Sequence, residues 1–203
     1  FCNLIARFWD VEKGEISIGK HNIKEYSLES LMRQISMVFQ NVYLFQDTIE
    51  NNIKFAKPDA THDEVIEAAK KACCHEFIMK LPEQYETVIG EGGASLSGGE
   101  RQRISIARAM IKNAPIIIFD EATANVDPEN EDKLQVAMEE LTRNKTVIMI
   151  AHRLKTIKNA NQILVLANGK INQKGTHEEL IQAEGIYKNF VEARQKAVNW
   201  KLT

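Results

Sequence analysis

A chain of 203 residues, 44% hydrophobic and 27% charged, carries enough apolar material for one globular domain with a sizeable core. Lys and Arg total 26 against 28 Asp and Glu, a net charge of −2, which removes any broad electrostatic reason to expect nucleic acid or anionic lipid as a partner. The three cysteines form no Cys-x-x-Cys or Cys/His metal spacing and suit a reduced, intracellular compartment; no apolar run approaches the ~18 residues that span a bilayer and no leader precedes Phe1, so a membrane connection is expected through a partner or a further segment.

The chain opens on Phe1-Cys2-Asn3-Leu4-Ile5-Ala6-Arg7-Phe8. Leu4, Ile5 and Phe8 share one helical face and no capping residue precedes them, so the sequence starts inside a helix. Residues 15–18 alternate polar and apolar as a strand does, and Ile35–Phe39 is a second short apolar run, with Ser27 placed to cap a brief helix between them. Thr61-His62-Asp63-Glu64 is a capping box: Thr61 takes an orphan amide, Glu64 reaches back, and Val65, Ala68, Ala69 and Ala72 follow at helical spacing. Ile116-Ile117-Ile118-Phe119 is short, rich in β-branched residues and unalternated, the pattern of a strand buried on both faces of a parallel sheet, and Thr146–Ile150 repeats that character. Between them Leu134, Ala137, Met138 and Leu141 recur at helical spacing, giving strand, helix, strand. Residues 163–166 and 170–174 flank Asn168-Gly169 and read as an antiparallel hairpin on a tight primed turn. Thr176 and Glu179 cap another helix, which Gly185 closes before a last amphipathic stretch through Ile186, Phe190 and Val191.

Chemistry concentrates in a few strings. Leu96-Ser97-Gly98-Gly99-Glu100-Arg101-Gln102-Arg103 precedes a helical run over 104–111, with Ser97 and Glu100 at capping-box spacing. Two glycines at a helix start leave the amides unshielded where the dipole places roughly half a positive charge, so the terminus can hold a phosphate. A plain capped helix accounts for Ser-Gly-Gly alone; the extended string with its trailing Arg-Gln-Arg is far rarer by chance. Strand 116–119 ends in Asp120-Glu121. Adjacent carboxylates leaving a buried strand diverge, so one can serve a metal while its neighbour faces a nucleophile, a base contribution of ~10²–10⁴ in rate. In isolation the pair reads equally as a solvated acidic strand end.

The string from Leu96 to Arg103 resembles the signature motif of ABC ATPases, and Asp120-Glu121 resembles their Walker B motif. The resemblance implies that Asp120 holds Mg²⁺ and that Glu121 orients or deprotonates the attacking water. Asp127, closing Ala124-Asn125-Val126-Asp127, matches the last position of the D-loop, where the family usually reads Ser-Ala-Leu-Asp. His152, after the strand Thr146–Ile150, matches the switch histidine that contacts the γ-phosphate. Gln40, directly after Ile35–Phe39, matches the Q-loop glutamine that meets Mg²⁺ and water and reports nucleotide state to the membrane domain. These positions come in the family's order, and the resemblance spans nearly the whole chain. Gly90-Glu91-Gly92-Gly93 sits like the X-loop of exporters, with Gly92 where arginine is usual, and Asp47-Thr48-Ile49-Glu50-Asn51-Asn52-Ile53 resembles exporters whose transmembrane and ATPase domains share one polypeptide. Residues 14–21 nearly spell Walker A, but His21 stands where Ser or Thr must ligate Mg²⁺ and the interior alternates, so they read as a strand with a turn. The opening helix resembles the one that follows the family's phosphate loop, which places that loop and the adenine-stacking aromatic upstream of Phe1.

The fold so implied is α/β and P-loop NTPase-like (RecA-like), a mostly parallel sheet core with a helical signature subdomain at about residues 41–112, N-terminally truncated, with 1–203 forming one ABC ATPase domain. The implied function is ATP binding and hydrolysis that power substrate export, with ATP and Mg²⁺ as cofactors. Two such domains, identical or related, face head to tail, each nucleotide lying between one subunit's Walker motifs and the other's Ser97, Gly98, Gly99 and Glu100. Gln40 and Asp127 join the nucleotide-binding set, Asp120 and Gln40 the metal, and Glu121 and His152 are catalytic. The further partner is a transmembrane domain in the same polypeptide or another chain, at the cytoplasmic face of the cell membrane, with no nucleic acid. Without a phosphate loop of its own, the chain alone is expected to be inactive and the longer protein active. Two other readings stand beside this one. A soluble ABC protein of translation or DNA repair is opposed by His152 and the string 90–93; a catalytically silent interaction module is opposed by the intact Glu121, His152 and signature.

Overall fold

The computed structural model describes residues 2–39, 41–90, 96–120, 128–150 and 157–200, and within these the side chains of all but 128–130 and 196–200. The chain divides into two compact units, Phe1–Ile150 and Ala151–Thr203. The first runs α1 (Cys2–Ile5), β1 (Ser17–Ile18), β2 (His21–Asn22), a 3₁₀ turn (Ile23–Glu25), α2 (Leu28–Gln34), β3 (Ile35–Phe39), β4 (Asp47–Thr48), α3 (Ile49–Lys54), α4 (His62–Lys71), α5 (His75–Ile78), a second 3₁₀ turn (Gln84–Glu86), β5 (Val88–Ile89), α6 (Gly98–Lys112), β6 (Ile116–Asp120), α7 (Pro128–Thr142) and β7 (Thr146–Ile150). The second holds β8 (Ile163–Ala167), β9 (Lys170–Gly175), α8 (His177–Gln182) and α9 (Ile186–Trp200).

A parallel sheet in the order β3-β6-β7 organises the first unit. Its register is unshifted from Ile35–Ile116–Thr146 at one end to Phe39–Asp120–Ile150 at the other, so the three strands end flush at their carboxyl edge. β6 is central, and Ile117, Ile118 and Phe119 have no exposed surface. Burial of such side chains is worth ~1.5–3 kcal/mol each, which makes this strand the anchor of the sheet. Alternation splits the load between the faces: Val38, Ile117 and Phe119 pack under the helices that include α6 and α7, while Ile35 and Ile118 pack against Leu31 of α2 and Ile5 of α1. On the first face α3, α4, α5 and α6 share a buried cluster that includes Ile49, Ile53, Val65, Ile78, Ile104 and Ile106.

Two expectations are corrected at the margins. β7 is not buried on both faces: Val147 and Ile150 are each 38% exposed, and among the described residues β7 pairs on one side only. A short apolar run suits a half-covered strand as well as a covered one, and composition does not separate them. The opening helix ends before Phe8. Arg7 turns left-handed (φ 55), Phe8 N–H donates to Asn3 O at 2.8 Å, and this Schellman closure leaves Phe8 53% exposed. Residues 14–21 do form a strand with a turn, β1 and β2 flanking Gly19-Lys20.

The second unit carries the hairpin as expected, Asn168 (φ 49) and Gly169 (φ 73) supplying the two positive dihedrals of a type I′ turn. Ile163, Leu180, Tyr187 and Val191 form its core. Gly185 joins α8 to α9 at φ 154, and a Cβ there would lie 2.4 Å from the Gln173 amide, whose Oε1 accepts the Tyr187 N–H at 2.9 Å. Gly185→Ala is therefore expected to destabilise this unit by about 1–3 kcal/mol, read as faster hydrogen exchange of amides in α8 and α9. Unchanged exchange would remove the steric argument.

Candidate functional site

The N-terminus of α6 is built by a reciprocal cap. Ser97 Oγ accepts the Glu100 N–H at 3.3 Å, and the Glu100 carboxylate accepts the Ser97 N–H at 2.8 Å. The first intrahelical bond, Arg101 N–H to Ser97 O at 3.0 Å, starts one residue later. Of the four amides a helix start leaves over, the box satisfies two; those of Gly98 and Gly99 take no partner among the described residues. A Cβ at Gly98 would meet nothing within 4 Å among the described residues, so neither their packing nor a positive φ demands glycine there. Glu100 serves the cap, holding Ser97 in place.

Side chains on α6 aim this terminus. Gln102, 4% exposed, donates from Nε2 to Phe39 O at 3.3 Å, and Lys112 donates from Nζ to Ile35 O at 2.6 Å. Burial lowers the Lys112 pKa, as desolvation of an ammonium must. The step of ten positions from Gln102 to Lys112 rises ~15 Å, close to the length of a five-residue strand, so α6 lies antiparallel to β3 with its N-terminus beyond the carboxyl edge of the sheet. That edge is where open α/β sheets bind ligands.

Asp120 ends β6 at the same edge, half-buried, in register between Phe39 and Ile150. The chain thus brings Ser97, Gly98, Gly99, Glu100 and Asp120 to one end of the sheet. Gln40 and Glu121 follow Phe39 and Asp120 by one residue and His152 follows Ile150 by two; these three, Asp127 and the string 91–93 lie outside the described residues. Among the described residues no group of three or more His, Cys, Asp or Glu forms a metal cage. Asp120 nonetheless fits Mg²⁺, which takes one or two carboxylates and completes its shell with water and substrate phosphate oxygens. A concavity of about 300 Å³ is lined, among the described residues, by His21, Glu25 and Tyr26, none of which belongs to the motifs. Reading the motifs missed the clamps on Phe39 and Ile35. A signal existed, since Gln102 falls one helical turn before Ile106, where apolar spacing asks for a core residue.

Comparison with known proteins shows the family and the fold. The family model described as ABC transporter matches residues 1–124. An ATP-dependent lipid A-core flippase of Syntrophus aciditrophicus is 54% identical over 185 residues, covering 91% of this chain and 31% of its own length. A Bacillus subtilis protein, provisionally named a multidrug export ATP-binding/permease protein, is 50% identical, covering 93% and 32%. The structure of a bacterial Atm1-family ABC exporter with ATP bound superposes with a TM-score of 0.88 at 41% identity, over 96% of this chain and 34% of that one. The chain therefore spans about a third of the length of the curated relatives it matches. No helix among the described residues is long and apolar enough to cross a membrane.

Proposed function

Because the chain belongs to the ABC transporter family and has the fold of an exporter-type ATP-binding domain, we propose that it hydrolyses ATP to drive export, two such domains closing head to tail around nucleotide. The observation that carries this reading is the pair of glycine amides without a partner among the described residues, on an open helix start at the ligand-binding edge of the sheet. Two N–H groups and the positive end of the dipole suit a terminal phosphate. Nothing among the described residues fills the space over Gly98, which suits a ligand presented by another copy.

In this reading Ser97, Gly98 and Gly99 of one copy complete the γ-phosphate site of the other, with Glu100 holding the cap and Asp127 and Gln40 joining the nucleotide contacts. Glu121 takes the proton of the attacking water as general base. His152 supports the γ-phosphate. Asp120 and Gln40 offer oxygens to Mg²⁺, which when bound offsets charge on the phosphate oxygens. Hydrolysis reopens the pair, and the segment after Gln40 passes the motion to a transmembrane domain in the same polypeptide or a partner chain, at the cytoplasmic face. The relatives are named for lipid A-core flipping and multidrug export, which suggests amphipathic cargo.

Phosphate release by the purified full-length protein tests the proposal. Turnover is expected to require Mg²⁺, and Asp120→Asn to lower it roughly 100-fold or more while metal-free ATP binding persists. Normal turnover in Asp120→Asn would remove the metal assignment; no ATP hydrolysis by the wild type would remove the function.

A further inference from the structure

Arg108 lies near the far end of α6 from Gly98, and it binds no carboxylate among the described residues. Its guanidinium is spent on the segment that follows Gln40. Nε donates to Asn52 O at 2.8 Å, Nη2 to Asn52 Oδ1 at 3.1 Å and Nη1 to Tyr43 O at 3.2 Å. The same group sits 5.7 Å from the Phe45 ring centre and 5.6 Å from that of Phe55, two rings stacked at 4.4 Å. Asn52, 1% exposed, extends the grip: Oδ1 accepts the Phe45 N–H at 2.9 Å, and Nδ2 donates to Phe45 O and Thr48 O, both at 3.0 Å. One cation on α6 thereby fixes both ends of 43–52 and the two rings above it.

This is an expensive way to anchor a static loop. Burial pulls the Arg108 pKa down to about 10, the mark of a desolvated cation with no anionic partner among the described residues. What the guanidinium supplies, and a neutral side chain does not, is a rigid planar fork that holds carbonyls and rings in one fixed relation to the helix axis. Across that fork Tyr43 and Phe55 are half exposed and Phe45 is partly so, giving the segment an outward aromatic face.

We propose that Arg108 is a positioning residue that yokes residues 43–55 to α6, so that movement of α6 when its N-terminus engages nucleotide is carried to the segment that follows Gln40. The proposal rests on the functional reading above. It assigns Arg108 no contact with nucleotide and makes coupling, not hydrolysis, the property it controls.

The test uses the full-length transporter in nanodiscs, as wild type and as R108K, with R108Q as the second variant should R108K fail to fold. R108K keeps the charge near the rings but loses the fork. Two quantities are read: kcat and KM for ATP, and the distance change between spin labels on paired transmembrane helices on adding ATP and vanadate. In R108K the KM is expected unchanged and kcat within about threefold of wild type, while the distance change falls below about a third of the wild-type value. Hydrogen exchange of the Phe45 amide should quicken in the same variant with α6 amides unaffected. A full distance change in R108K, or in R108Q where R108K does not fold, overturns the proposal. So does a loss of kcat in step with the distance change. A wild type that neither hydrolyses ATP nor changes distance fails the functional reading itself, which the wild-type control shows separately.

Discussion

Full-length protein carrying Gly98→Asp is expected to lose ATP turnover by roughly 100-fold or more while unfolding at the wild-type temperature. The two halves of that expectation come from the same geometry. A Cβ at position 98 meets nothing within 4 Å among the described residues, and the residue is the first of α6, where an acidic side chain interacts favourably with the dipole by ~0.3–1 kcal/mol. The folded chain should therefore tolerate the change or gain slightly. A carboxylate over the Gly98 and Gly99 amides, however, occupies the donors proposed for a phosphate and repels a second anion. Gly98→Ala, which adds a methyl group without charge, should fall between. Turnover unaffected by Gly98→Asp would mean that the open helix start faces no ligand during the cycle.

Glu121→Gln is expected to lower turnover by ~10²–10⁴ while ATP binding persists and the closed dimer accumulates. The substitution keeps the side chain's size and removes only its basicity. Its neighbour Asp120 is held by pairing on both sides, to Phe39 and to Ile150, so the strand end should be undisturbed. Light scattering or cross-linking with ATP present reads the dimer, and phosphate release reads the chemistry. Wild-type turnover in this variant would remove Glu121 as the base.

Much of what is settled within four residues was legible from the chain alone. The three boxes at Thr61, Ser97 and Thr176 each form both reciprocal hydrogen bonds, because cap and partner are one helical turn apart and need nothing from elsewhere. The Asn168-Gly169 turn belongs to the same class, its dihedrals being a property of those two residues. β6 was legible for a different reason: three successive large apolar side chains have nowhere to go except between two covered faces. Pairing at a distance was not legible. β4 and β5 are two residues each, too short for a period, and exist because Thr48 meets Val88 across forty residues of chain. α3 starts on the Thr48 cap with only six residues, too few for periodicity to announce it.

The site divides along the same line. The cap at Ser97 is local, and its structure follows its spelling. That Gln102 and Lys112 would clamp α6 along β3, and so carry the cap to the carboxyl edge where Asp120 ends, depends on residues more than sixty positions apart. Arg108 is the strongest instance, an ordinary basic residue in sequence that proves to organise the loop from Tyr43 to Asn52. The roles of Gln40, Glu121, Asp127 and His152 came by resemblance, and those residues lie outside the described ones.

Mixing two dead proteins tests the shared site most directly. Gly98→Asp spoils the helix terminus a copy lends, and Glu121→Gln spoils the base it keeps. In a head-to-tail pair of one of each, both defects fall in the same site and the other site is whole, so a random one-to-one mixture should recover about a quarter of wild-type ATP turnover. A mixture as inactive as either parent, with mixed pairs shown to form, would mean that each copy uses its own Ser97-Gly98-Gly99 and would contradict the account.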